Sequence, residues 1–424
     1  MTTGRGGGGF PLLPLWVAVT TLAIPGLRWA LTRRAKRHKE IPARIKERRG
    51  IAAIPRPPGK LLWLHAASVG ETVSLFPVLR ALPAEISVLF TTGTVTSATL
   101  IAERLPALGL DSRVIHQFAP LDVPLWVRRF LDHWRPSAVA FVESEIWPNM
   151  ISQCARRGLP LMLLNGRMSE RSLRGWQRAP RFARAMIGAF DLIWAQSDAD
   201  AARLSALSTT SVASPGNLKF NADPLPADPA ALAALEQQLA GRPRWLAAST
   251  HQGEEAAIAA VHRLLAPDFP GLLTIIVPRH PGRGAEIATL LNAPQRSLGA
   301  PPPAEGIWIA DTLGELGLFY RLARLVFVGK SLGASGGQNP LEPARLGCAI
   351  ATGPATANFA EAVALLQFAG ALTMVPDVTA LAAWVAALLR DRARAEAMGA
   401  AGAAVLDGGQ ELPQKVAKAL AERC

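Results

Sequence analysis

From residue 60 onward, short runs rich in Leu and β-branched residues alternate with longer stretches of helical spacing. In the first half the runs are LLWLHA (61–66), ISVLFTT (86–92), SAVAFVE (137–143), LPLMLLN (159–165), DLIWAQ (191–196) and TTSVASPG (209–216). Amphipathic stretches such as SATLIAERLPAL and VPLWVRRFLDHW lie between them. Strands joined through helices pair in parallel, so the pattern predicts an α/β chain of βαβ units. It breaks at 221–244, a Pro- and Ala-rich stretch with room for one short helix, and resumes with RWLAAST, LLTIIVPRH, GIWIAD, RLVFVG and CAIATG. A chain of 424 residues is long for a single core, and the break divides it into two halves of similar build. The expected organisation is a distinct segment at 1–50, a first domain at 51–220, a linker at 221–243 and a second domain at 244–424.

The net charge of +13 suggests a nucleic-acid partner until it is located. Residues 1–60 hold 13 Lys/Arg against 2 Asp/Glu, which leaves the other 364 residues at +2. A nearly neutral body gives no reason to expect a nucleic-acid-binding face. The positive charge follows an apolar stretch, FPLLPLWVAVTTLAIPGLRWAL (10–31), and is concentrated in RRAKRHKEIPARIKERR (33–49). An apolar stretch of about 20 residues is long enough to cross a bilayer. Pro11, Pro14 and Pro25 interrupt it, so a helix lying on the membrane surface is the competing expectation. The basic block would hold the body on the cytoplasmic side, against anionic lipid. No A-x-A-like cleavage site is present, and the basic block is on the wrong side for a signal peptide. Cys154, Cys348 and Cys424 are too widely separated for a metal-like pair and indicate no disulfide framework.

Ligands of open parallel sheets sit beyond the carboxyl ends of the strands. Polar residues collect there: Glu71, Thr91–Thr94, Glu143, Glu145, Asn165–Arg167, Lys219, Ser249–His251, Arg279 and the 329–342 stretch. Glu71, in the first turn of the helix after the first strand, complements the helix dipole. Its small neighbours Ala66, Ala67, Ser68 and Gly70 equally leave space for a general base to meet a substrate hydroxyl. Alternation sets Glu143 and Glu145 on one side of an extended segment. Lys219 and Arg279 are cations suited to an anionic ligand, or to solvent. In VGKSLGASGGQNPLEPARLG (328–347), Asn339, Pro340 and Glu342 make a capping-box-like helix start whose amides could equally cradle a phosphate. The loop is neither a Walker A motif nor G-x-G-x-x-G. His65, His251 and His280 lack metal-ligand spacing and read as structural or supporting residues.

Together these stretches resemble the 3-deoxy-D-manno-octulosonic acid (Kdo) transferases of lipopolysaccharide core biosynthesis. The pieces are LHAASVGE, VESEIWPNM, NGRMSERS, GNLKF, STHQGEE, VPRHPGR, DTLGEL, GKSL and GGQNPLEPA, in family order along nearly the whole chain. The resemblance implies two Rossmann-like domains facing across a cleft, the GT-B type of glycosyltransferase. It implies inverting transfer of Kdo from CMP-Kdo to a tetraacylated, bis-phosphorylated lipid A precursor, without metal or cofactor. It implies Glu71 as general base, with Glu143 and Lys219 stabilising the transition state. CMP contacts carry over to Pro278, Arg279, Leu313, Gly314, Glu315, Asn339, Pro340, Leu341 and Glu342. The implied location is the inner membrane, with the catalytic body on its cytoplasmic face. Lys330 and Gln338 stand where many members have Gly and His. The competing enzyme reading is a lipid glycosyltransferase with a UDP-sugar donor, such as lipid A disaccharide synthase. The competing reading of another class is a membrane-anchored binding protein.

Overall fold

The computed structural model describes residues 10, 12–333, 336–407 and 411–424. The Gly-rich start (4–9), Pro11 and, in the 328–347 stretch, Ala334 and Ser335 lie outside the described residues. The chain divides into two compact units. In the first, seven strands form one parallel sheet: β1 Lys60–Ala66, β2 Ile86–Thr92, β3 Val114–Phe118, β4 Ala138–Val142, β5 Leu161–Gly166, β6 Leu192–Ala195 and β7 Val212–Ala213. Their order is β3-β2-β1-β4-β5-β6-β7, a doubly wound arrangement that reverses direction between β1 and β4. Alternation along β1 sends Leu62 and Leu64 to one core and Leu61 and Trp63 to the other.

The second unit repeats the plan with six strands: β8 Arg244–Thr250, β9 Leu273–Pro278, β10 Gly306–Ile309, β11 Leu325–Val328, β12 Ala349–Thr352 and β13 Leu372–Met374. Their order is β10-β9-β8-β11-β12-β13, so the switch point falls between β8 and β11. All eleven apolar runs read from the sequence contain strands. Two of the four edge strands, β3 and β13, were not expected. His116 and Gln117 interrupt the apolar run in β3, and β13 has only three residues.

The expected domain boundaries need correction at three places. The first unit is Met1–Asp223 with Gly409–Cys424, and the second is Pro224–Gly408. The C-terminal helix Leu412–Ala421 therefore does not belong to the 244–424 domain. Its Leu412, Val416, Ala417 and Leu420 enter the first unit's core beside Leu75 and Val78. The 221–243 stretch is not a free linker either. Asp223 pairs with Arg80 at 2.6 Å, whereas helix Pro229–Gln238 packs on helix Leu316–Leu322 of the second unit.

Residues 1–50 are likewise no separate segment. Arg48 is buried, pairs with Glu40 at 3.0 Å, and donates to the carbonyls of Gly93 (2.6 Å) and Ala119 (3.3 Å). Glu47 accepts from the Phe118 amide at 2.7 Å, so this stretch covers the β3 edge of the sheet. Arg33, Arg34, Lys36, Arg37 and Lys39 remain exposed. No single described helix is long and apolar enough to cross a membrane; helices Leu13–Leu22 and Ile24–Lys36 pass that test only as a pair bent by 56°. The first of them docks on the body, where Trp16 donates to Asp122 (2.8 Å) and Asn149 donates to Thr20 (3.2 Å).

Candidate active site

In the first unit the β1/β4 switch point carries the two carboxylates that matter most. Ser68 caps helix Val69–Ala81, which places Glu71 at the third helical position. The Glu71 carboxylate turns back and accepts from the Ser68 hydroxyl (2.6 Å) and the Ala67 amide (2.7 Å). It is 7% exposed. Burial, followed by the charge of Glu143, raises its pKa above the ordinary glutamate value, against the pull of those two hydrogen bonds.

Glu143 and Glu145 do not share one side of an extended segment. The chain turns directly after β4, with Glu143 at φ 62°, a left-handed conformation that non-Gly residues adopt at a cost. That turn separates the pair. Glu143 is buried and ion-pairs with Lys219, whereas Glu145 takes His65 Nε2 at 3.2 Å and the indole N–H of Trp147. Burial is the largest single influence on Glu145 and raises its pKa, but the hydrogen bond and charge of His65 together with the Trp147 hydrogen bond outweigh it, and the net shift is downward. Glu71, Glu143 and Lys219 thus come together in one unit.

Lys219 sits on the single turn Leu218–Asn221. Asn217 receives the Lys219 amide at 3.0 Å, and Asn165, at φ 51° near the end of β5, receives the Leu218 amide at 2.9 Å.

In the second unit the β8/β11 switch point is organised by Glu254, whose role sequence reasoning missed. Its carboxylate accepts four backbone amides: His251 (3.0 Å), Lys330 (2.6 Å), Ser331 (2.9 Å) and Leu332 (3.2 Å). Its place in the first turn of helix Glu254–Leu265 was the available signal. Those amides are therefore engaged by protein. At the 341 helix start the cap differs from the one read in the sequence: Pro340, not Asn339, is the N-cap residue. That helix is only Leu341–Arg345, and its first amide is taken by Asn339 Oδ1 at 3.1 Å. Asn339 Nδ2 meets Glu342 at 3.3 Å. Burial raises the Glu342 pKa, against the Asn339 hydrogen bond and the charge of Arg279. Arg279 itself is exposed directly after β9. Asn339, Glu342 and Arg279 are thereby brought together.

Leu313, Gly314 and Glu315 follow β10, the parallel neighbour of the β9 strand that ends before Arg279. They precede helix Leu316–Leu322, with Gly314 at φ 85° and Leu313 72% exposed. Glu315 forms a two-pronged pair with Arg296 (2.7 and 2.6 Å), which holds its carboxyl below the usual range. The pair lines a hollow of about 680 Å³ with Trp308, Thr312 and Leu313. Neither Arg279 nor residues 339–342 line that hollow. Among the described residues no group of three His, Cys, Asp or Glu is placed to hold a metal ion.

Residues 43–222 match the sequence profile of the family described as 3-deoxy-D-manno-octulosonic-acid transferase (kdotransferase). A 3-deoxy-D-manno-octulosonic acid transferase from Haemophilus influenzae is 35% identical over 86% of this chain and 87% of its own length. The chain belongs to the Kdo transferases. A probable mitochondrial Kdo transferase from Arabidopsis thaliana is 34% identical, over 84% of this chain and 81% of its own. A solved glycosyltransferase from Rickettsia africae ESF-5 shares the fold, with TM-score 0.56 over 87% of this chain and 99% of its own at 11% identity. The chain is accordingly a glycosyltransferase of lipopolysaccharide biosynthesis that transfers Kdo.

The two departures from the Kdo transferase pattern lie beside each other's partners. Lys330 has φ 59°, a conformation that Gly adopts without cost. Gln338 Nε2 meets His251 Nε2 at 3.0 Å. Burial, then the charge of Lys330, lowers the His251 pKa and favours the neutral ring that can accept this bond.

Proposed function

We propose that this Kdo transferase moves Kdo from CMP-Kdo to a hydroxyl of a lipid A precursor, inverting the anomeric carbon, with Glu71 as general base. The observation that carries this reading is the environment of Glu71. It is a buried carboxylate at a switch point, with its basicity raised by burial and by Glu143. Such a group takes a proton more readily than a solvated glutamate yet still ionises. Its two oxygens offer about four acceptor sites, of which the Ser68 hydroxyl and the Ala67 amide use two. The acceptor hydroxyl gives its proton to Glu71 as its oxygen bonds to the anomeric carbon. The bond from that carbon to the phosphate oxygen breaks, and CMP leaves with the electron pair.

Lys219 and Glu143 balance the charge that develops next to the base. The nucleotide is assigned to Pro278, Arg279, Leu313–Glu315 and Asn339–Glu342, with Arg279 drawn to the phosphate and carboxylate of the donor. Side-chain cations supply the charge balance in this scheme, and a chelator is expected to leave the rate unchanged. The exposed basic residues 33–39, beside exposed Leu15, Val19, Leu22 and Trp29, support residence on anionic inner-membrane lipid with the body in the cytoplasm. The deciding experiment is mass spectrometry of the lipid formed from purified protein, CMP-Kdo and tetraacylated lipid A precursor. A Kdo-bearing product is expected; turnover with a UDP-sugar and none with CMP-Kdo would overturn the proposal.

A further inference from the structure

We propose that Asn165 is a positioning residue that sets Lys219 against Glu143. The proposal rests on the reading that Lys219 serves the transfer step.

Lys219 is carried on a turn too short to hold its own orientation. Two of the contacts that anchor that turn are Leu218, 2% exposed in the first unit's core, and the Leu218 amide bonded to Asn165 Oδ1 at 2.9 Å. The neighbours of Asn165 fix the other half of the ion pair. The Leu164 carbonyl receives the Glu143 amide at 3.0 Å, and the Arg167 amide donates to the Glu143 carbonyl at 3.3 Å. One short stretch, 164–167, therefore holds the backbone of Glu143 through its main chain and that of Leu218 through one side chain.

Asn165 has the two properties this position demands. It tolerates φ 51°, where most residues are strained, and it offers a short side-chain acceptor. The arrangement is not the cheapest for stability. Asn165 is 3% exposed, and its Nδ2 is buried without a hydrogen-bond partner. A buried donor left unmet is kept at a site where placement counts for more than satisfaction.

Asn165→Gly keeps the backbone conformation and removes the acceptor. It is read in a double-mutant cycle with Lys219→Ala, at saturating acceptor, with thermal unfolding recorded for every variant. Lys219→Ala is expected to lose most transfer. Asn165→Gly alone is expected to lower kcat by up to about 10²-fold, the scale of a misplacement of about 1 Å, with KM for CMP-Kdo unchanged. In the Lys219→Ala background it is expected to cost nothing further. Asn165→Asp keeps the acceptor and is expected to recover most of the rate. Equal losses in both backgrounds, or an unchanged kcat in the single variant, would overturn the positioning role while leaving Lys219 in place. An unchanged rate for Lys219→Ala removes the reading of Lys219 itself and this proposal with it. If Asn165→Gly does not fold, Asn165→Ser is carried through the same cycle and read by the same outcomes.

Discussion

Glu143 and Lys219 form an ion pair at the carboxyl end of the first sheet, joining the turn after β4 to the single helical turn after β7. Their side chains are 11% and 25% exposed, so most of the water that would screen them is gone. Removing the lysine strands a carboxylate whose charge already raises the pKa of Glu71. Lys219→Ala is therefore expected to push Glu71 further up and to move the acid limb of any residual pH–rate profile to higher pH. It is also expected to cost about 2 kcal/mol of stability, below the full penalty of a wholly buried pair. Rate profiles and denaturant titration check the two halves separately.

Glu71→Gln is expected to bind CMP normally by calorimetry and to lose transfer by about 10²–10⁴-fold. In the parent protein the acid limb of kcat/KM should lie above the ordinary glutamate range, because burial and Glu143 raise that pKa. The sign for stability runs the other way. A carboxyl whose folded pKa is raised contributes stability that is present below its unfolded pKa and lost as pH rises through the folded one. Neutralising it should leave Tm at pH 7 unchanged or higher. A destabilised Glu71→Gln would mean that the two capping hydrogen bonds outweigh the buried charge.

His116 on β3 carries the opposite sign. Burial, then Arg44 and Arg48, depress its pKa from 6.5 to about 3. Its neutral ring accepts from Arg44 at Nδ1 (3.1 Å), while Nε2 bonds Thr92 (2.9 Å). Stability from this group is present above pH 6.5 and is lost as pH falls toward 3. The slope is expected to be at most about 1.4 kcal/mol per pH unit. Urea titrations of the parent and His116→Asn across that window measure it, and the variant should show a shallower dependence.

Lys330→Gly is expected to stabilise the protein. Relief of the left-handed conformation is worth about 1–2 kcal/mol, and the added freedom of the unfolded chain takes back about 0.4–1 kcal/mol. The expected net gain is about 0.5–1 kcal/mol in chemical denaturation. A loss would show that the Lys330 side chain makes a contribution beyond its backbone.

The C-terminal helix provides a test of the domain assignment. Leu420 is fully buried in the first unit's core, so Leu420→Ala is expected to cost about 2–5 kcal/mol. Hydrogen exchange should show that loss in the first sheet and leave the second sheet protected as before. The reverse distribution would return residues 409–424 to the second unit.

Strand positions were the most legible part of this protein. Runs such as LLWLHA and LTIIVP are apolar on both faces because both faces are covered, a requirement that composition alone can express. β3 and β13 were not legible, because His116 and Gln117 interrupt the apolar run of β3 and β13 has only three residues. The candidate site was legible as residue types at strand ends, and Glu71, Glu143 and Lys219 were marked there. Their partners were not. The spacing of Glu143 and Glu145 suggests one shared face, yet one left-handed residue sends the first to Lys219 and the second to His65.

By itself, then, the sequence determined the repeated parallel α/β plan and the family, because hydropathy periods and local motifs are properties of neighbouring residues. Tertiary structure alone decided which charges are paired. It buried Arg48 inside a stretch that reads as a basic block facing anionic lipid, and it returned helix Leu412–Ala421 to the first unit. It also filled the amides after β11 with Glu254. Each of these depends on residues far apart in the chain meeting at one place, where desolvation makes an unpaired charge or amide too costly to leave.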